Sequence, residues 1–426
     1  MIGPCIRVAL VLCVIAATAT PFPTQVRRAA PMSCEAYSWG SPVRVAGSDP
    51  PSVVYGSSVA SATSGRFLVA SDLMALEGPG THVKLVARDI SAGSIGRPRG
   101  EFVFAFPKSG IDTAGRLWLL WGEPAPGTRP TSRLEWMMQQ VESVWAAAYD
   151  PARREWSAAE QLAKAPAGSG VFAWSSSVAD PSPLPGWELG TTVLLTTMHA
   201  SAAGELRSSV ARLRLRDGRW HTELVPLPGP ASQASIAALG STTLLAYIGS
   251  AVADRTDNHV VTMRSRDDGN TWTAPSVLDS SPGITALRTP PVLSGPRAFH
   301  LVWNHALPDR ARAVRHRASA DGVDWSAPND LPLPKRVGAE TIGLDRCENV
   351  HLVYEVLSSP ETLDLMHAAL SSRWSAPTRL FPTMFAYSAH LSAHEGGHLL
   401  MSYVAVARGA PPGTTPLTYV TELWPQ

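Results

Sequence analysis

An apolar run of one kind recurs seven times along a 426-residue chain. Each copy is followed by a second strand-like run, and a tryptophan turn punctuates the pattern about every 50 residues. These observations predict an all-β fold, a seven-bladed β-propeller with four short strands per blade. The composition agrees, since 37 prolines, 33 glycines and 14 tryptophans suit many short elements joined by turns better than long helices. A β-solenoid repeats at a similar period and is the competing architecture.

The elements follow in order. Arg7 precedes the apolar run Val8 to Ala19, which ends in the small residues Ala17-Thr18-Ala19. The run is too short to cross a bilayer but suits a signal peptide over residues 1–19. A buried first strand is its other reading. Residues 20–33 then form a leader and 34–426 a single propeller domain. No later run is apolar enough for a membrane span, so a secreted, extracellular or periplasmic protein is expected.

The first member of each repeat is GRFLVASD (65–72), GRLWLLWGE (115–123), GTTVLLTTMH (190–199), GSTTLLAYIG (240–249), RAFHLVWNH (297–305), ENVHLVYEV (348–356) and GGHLLMSYV (396–404). The second members include VESVWAAAYD (141–150), RAVRHRASADG (312–322) and PLTYVTELW (416–424). Tryptophan turns come next, at Trp272, Trp325 and Trp374 and more loosely at Trp39, Trp156 and Trp220. Ile95 sits near the slot that lacks one. After 416–424 no fourth strand remains, and SWGSPVRVAG (38–47) has no third strand before it. The two deficits match, so the N-terminal strand is expected to complete the seventh blade and remove an exposed sheet edge. A solenoid leaves both ends unexplained.

Loss of the signal segment leaves two cysteines, Cys34 beside the closing strand and Cys347 in a turn of the sixth blade. In an oxidising compartment they are expected to form a disulfide that fastens the closure.

Ser265-Arg-Asp267-Asp-Gly269-Asn-Thr271-Trp272 has the spacing S-x-D-x-G-x-T-W, and Ser319-Ala-Asp321-Gly322-Val-Asp-Trp325 is a copy one residue shorter. The first resembles the Asp-box of the sialidase-like (BNR-repeat) propellers. Physically it is a hairpin device: the carboxylate accepts turn N–H bonds, glycine permits positive φ, and tryptophan packs between sheets. The resemblance implies that these residues serve stability on the face away from the active site. It also makes sialidase chemistry the first enzymatic idea, but the family's early arginine-isoleucine-proline motif is absent and sialidases have six blades. Most arginines stand elsewhere: Arg212, Arg214 and Arg216, Arg264 and Arg266, and Arg315 and Arg317 alternate as solvated strand faces would. Arg288 alone is placed for the opposite face.

That opposite face is where a propeller usually meets its ligand. The second strands finish there with Asp72, Glu123, His199, Asn304-His305 and Glu355, and the first strands begin there with Tyr55, Lys108, Trp174, Arg288, Glu340 and His390. Carboxylates pair with sugar hydroxyls while aromatic rings stack on sugar faces. The long segment 124–142 contains RLEWMMQQ (133–140), a candidate short helix for a lid or packing element.

His394-Glu395-Gly-Gly-His398 spells H-E-x-x-H, a zinc pattern when helical. Gly-Gly is a poor helix interior, and His398 falls in register with His300 and His351, so the segment reads as a hairpin turn. No metal and no cofactor is expected. With 36 Lys+Arg against 35 Asp+Glu, nucleic-acid binding is not indicated. The sequence thus leads first to a monomeric recognition module for a glycan or glycosylated surface. A glycoside hydrolase using two of Asp72, Glu123, Glu340 and Glu355 is the second reading, and a protein-binding or structural propeller the third.

Overall fold

The computed structural model describes residues 37–45, 52–62, 65–74, 82–89, 93–96, 105–111, 116–124, 141–164, 178–179, 192–200, 206–216, 219–225, 227–228, 231–249, 258–285, 292–295, 297–309, 311–345, 347–359, 362–393, 399–411, 413–414 and 416–425. Every regular element among them is a β-strand, and the strands form a propeller arrangement of antiparallel sheets. Seven sheets of four or five strands occur, numbered one to seven here in chain order. No described helix is long and apolar enough to cross a membrane.

The second strands are Gly65–Met74, Leu117–Pro124, Thr192–Ala200, Thr242–Gly249, Phe299–Ala306, Val350–Ser359 and Leu399–Ala407. All seven coincide with the apolar runs of the sequence. They form because each strand is covered on both faces, which selects a nearly continuous apolar run over strict alternation. In sheet five, Leu301 and Trp303 pack toward sheet four, while Val302 and Val314 pack toward Ile342, Leu352 and Tyr354 of sheet six. Sheet six meets sheet seven through Val353 and Leu365 against Leu391, Met401 and Tyr403. The first strands of successive sheets lie against one another, and that of sheet seven, Met384–Ala393, lies against that of sheet one, Ser52–Ala62.

The N-terminal segment pairs with the last strand, Leu417–Pro425, as the matching deficits imply. It is not one strand over 38–47, however. Tyr37–Trp39 and Val43–Arg44 pair separately, because Pro42 has no N–H to give to a ladder. At the break Gly40 donates its N–H to the Glu422 carbonyl (2.7 Å), and the Thr421 hydroxyl donates to the Gly40 carbonyl (2.7 Å).

The S-x-D-x-G-x-T-W segment joins the third strand of sheet four, His259–Ser265, to the fourth, Ser276–Asp279. Asp267 accepts the Thr271 N–H (2.8 Å) and the Thr271 hydroxyl (2.6 Å), and the Ser265 hydroxyl donates to it at 2.7 Å. These bonds hold the Asp267 carboxyl down at about 2. Gly269 stands at φ +85°. In the shorter copy Asp321 accepts the Val323 and Asp324 N–H groups, with Gly322 at φ +72°. Trp272 packs into the seam of sheets three and four, and Trp325 into that of four and five. In the slot without a tryptophan, the Trp156 indole donates to the Ile95 carbonyl at 3.0 Å.

The arginine alternation needs correcting. Arg212 is buried and donates to the Asp268 carbonyl (2.6 Å) and carboxylate (3.1 Å), tying sheet three to the hairpin of sheet four. Arg315 grips Asp330 through two nitrogens (2.7 and 2.8 Å) and reaches Asp279 of sheet four at 3.0 Å. Arg317 donates to the Leu278 carbonyl across the same seam. A neighbouring sheet covers each of these arginines, so they are clamps between sheets. Arg266 alone of the described group is exposed, and the side chains of Arg214 and Arg216 lie outside the described residues.

Candidate functional site at the bulged end of the first strands

Five of the seven described first strands share a local irregularity that the sequence did not reveal. Register shifts fall between Tyr55 and Ser57, Ala105 and Lys108, Ala231 and Gln233, Val337 and Glu340, and Tyr387 and His390. In each case the bulge lies toward the beginning of the strand, at the end opposite the S-x-D-x-G-x-T-W hairpins. A bulge re-aims the side chains beside it and is common next to functional sites. Tyr55, Lys108, Glu340 and His390 all flank one.

Sheets five to seven define this end most fully. Glu340 is 5 % exposed, and its Oε1 accepts a hydrogen bond from Arg312 Nη2 of sheet five at 2.6 Å. Burial raises its pKa, Arg312 pulls it back down, and the charge of Glu355 raises it further, leaving it above the usual carboxylate range. Glu355 is likewise buried, and its Oε2 lies 2.5 Å from where a Cβ on Gly338 would stand. The glycine in the bulge therefore makes room for the carboxylate. Tyr387 of sheet seven faces the same group: burial and then the Glu355 charge raise its phenol. The row Arg312, Glu340, Glu355, Tyr387 thus crosses three sheets.

Asn304 completes the group. Its backbone pairs with Thr285, its side chain is 1 % exposed, and neither amide atom has a hydrogen-bond partner among the described residues. The amide lies near enough to Glu340 to favour the ionised carboxylate.

Other expected residues fall differently. His305 is buried, with Nε2 at 3.3 Å from Asp330, among the clamps between sheets four and five. That position places it in the seam, beside Asp330. Glu123 receives the Trp121 indole N–H at 3.0 Å. Asp72, Tyr55 and Lys108 lie on strands at the expected end, but their side chains are outside the described residues. Trp174, Arg288, the 125–140 segment, Cys34 and His394 to His398 also lie outside them. The strands flanking the H-E-x-x-H segment pair from Ala393 to Leu399, as two arms of one hairpin would. Among the described residues no group of three or more His, Cys, Asp or Glu could hold a metal ion.

Arg312 went unassigned in the sequence, whereas Asn304 had been placed beside His305 at the end of its second strand. Arg288 had appeared to be the one arginine suited to this face, yet Arg312 opens a third strand directly opposite Ala306. The register of the repeat could have placed it. Its pairing with Glu340, a residue of the next sheet, could not be read that way.

No protein family and no curated protein matches the chain. Among solved structures it is similar to a protein of unknown function from Dyadobacter fermentans DSM 18053 (12 % identity, TM-score 0.49, 92 % of this chain and 99 % of that one). It is also similar to the polysaccharide lyase Uly1 (10 %, 0.48, 91 % and 93 %). The α-L-arabinofuranosidase Arb93A from Fusarium graminearum is a third (13 %, 0.43, 74 % and 92 %). Identities and TM-scores this low carry no functional inference.

Proposed function

We propose that the chain recognises a glycan or a glycosylated surface at the bulged end of its first strands. The observation that carries this reading is the row Arg312, Glu340, Glu355 and Tyr387 beside the unpartnered amide of Asn304. Carboxylate and amide oxygens accept from sugar hydroxyls, while guanidinium and amide N–H groups donate to them. Recognition is preferred to hydrolysis because Glu340 is occupied by Arg312 and both carboxylates are deeply buried.

The wider reading is a secreted, monomeric, seven-bladed propeller of the sialidase-like, Asp-box kind, with no cofactor. Seven sheets with adjoining first strands support the blade number, and the two carboxylate-held hairpins support the lineage. A Cys34–Cys347 disulfide belongs to the same proposal. It is supported by the bonded state of Cys347 and by Tyr37, close in sequence to Cys34, packing edge-on against His351 at 4.7 Å.

One observation favours a glycoside hydrolase as the second reading. A buried glutamic acid with a raised pKa beside another carboxylate is the arrangement a general acid requires. A glycan array and a panel of chromogenic glycosides, read on the wild type and on Glu340→Gln, separate the two. Recognition predicts binding without turnover and at least about a tenfold loss in the variant, equivalent to one charge-assisted hydrogen bond. Turnover abolished by the substitution selects the hydrolase. Neither binding nor turnover overturns both and leaves the structural propeller.

A further inference from the structure

A concavity lies outside that row, in the seam between the outer strands of sheets five and six. It has a volume of about 490 Å³, within the range that small ligands occupy. Its inner wall is apolar, formed by Leu333, Val356 and Met366. Pro332, Pro334 and Pro377 form its lips, and their fixed φ angles make the cleft largely preformed.

The charge around this cleft is one-sided. Asp364 is 3 % exposed and takes both Arg379, at 3.0 Å, and Arg408. Two guanidinium groups thus face one carboxylate, and Arg379 remains about half exposed. Lys335 and Arg336 follow Pro334 and are exposed. The Arg336 carbonyl accepts the Leu357 N–H at 3.1 Å, which fastens this basic pair to the lip. Surplus positive charge beside an apolar wall suits a ligand with an anionic head and an apolar body. The polar side chains that line the cleft are Tyr354, Ser358, Asp364 and Arg379, and of these Asp364 is already engaged by two guanidinium groups.

We propose that this cleft is a binding site for an amphipathic monoanion, independent of the glycan reading. The apolar body lies against Leu333, Val356 and Met366, and the carboxylate takes the N–H groups of Arg379 that point away from Asp364.

Calorimetric titration of the full chain with 3-phenylpropanoate, its primary amide and glucuronate tests this at low salt. The acid should bind at least about tenfold more tightly than the amide and than glucuronate. Arg379→Gln removes the charge, and Ser358→Asp places a negative charge on the exposed lip. Each should cancel the preference for the acid, with a cooperative urea transition showing that each variant is folded. Equal binding of acid and amide overturns the proposal, as does a preference that survives both substitutions. Glucuronate binding as tightly as 3-phenylpropanoate also overturns it, because the apolar wall would then select nothing.

Discussion

Gly269 stands at φ +85°, and a Cβ built on it would meet Arg212 Nη1 at 2.2 Å and Trp272 at 3.3 Å. One position therefore combines a left-handed backbone, a clamp from the neighbouring sheet and the tryptophan of the seam. Gly269→Ala should destabilise by about 1–3 kcal/mol, from backbone strain plus displacement of the arginine. Gly240 supplies the comparison, since it has φ +56° with nothing within 4 Å of a Cβ. Gly240→Ala should carry the backbone part alone, and urea midpoints that fall equally for both variants would show that the clamp contributes nothing. The S-x-D-x-G-x-T-W spacing made the glycine's conformation legible. The arginine was not legible, because an alternating basic strand looks the same whether it faces water or the next sheet.

At the scale of elements, the second and third strands of sheets five and six each bury a histidine pair. His300 Nδ1 and His316 Nε2 lie 3.1 Å apart, and His351 Nδ1 and His367 Nε2 lie 3.0 Å apart. Burial pushes His300 down to about 4, and burial with the partner ring pushes His316 and His367 down to about 3. Glu348 and Asp345 face His300 and partly oppose the shift, while Arg297 reinforces it. Unfolded histidine binds its proton near pH 6.5, so below that pH the unfolded chain takes up protons that the folded chain refuses. Stability is then full above about pH 6.5 and falls with acidification, by on the order of 2 kcal/mol at pH 4.5 for each of His300, His316 and His367. His316→Gln should remove one share of that loss, read as urea midpoints at pH 7 and pH 4.5. A wild-type midpoint that does not change over this interval would contradict the shifts. The strands themselves were legible because apolar runs bounded by turns mark elements buried on both faces. Fourth strands such as Thr378–Arg379 are too short to carry a pattern, and the first-strand bulges depend on pairing register, which one strand's sequence does not contain.

For the whole molecule, the repeat gave the architecture because each unit buries its faces only against its neighbours, so sequence periodicity and packing share one cause. The pairing of the chain's two ends followed from counting strands. Of the candidate site, Asn304, Glu340, Glu355 and His390 could be placed from strand polarity alone. Arg312 and Tyr387 gain their meaning from contacts between sheets, which lie dozens of residues apart in sequence. Those contacts also divide the molecule into two faces. Carboxylate-held hairpins stabilise one, while buried carboxylates and an unpartnered amide at the other leave polar capacity for a ligand.

Hydrogen–deuterium exchange with and without the best glycan from the array tests that division most directly. The account predicts slowed exchange in 311–318, 337–342 and 384–391, with the hairpins at 265–272 and 319–325 unchanged. Protection confined to those hairpins would contradict it and place the functional face at the other end of the molecule.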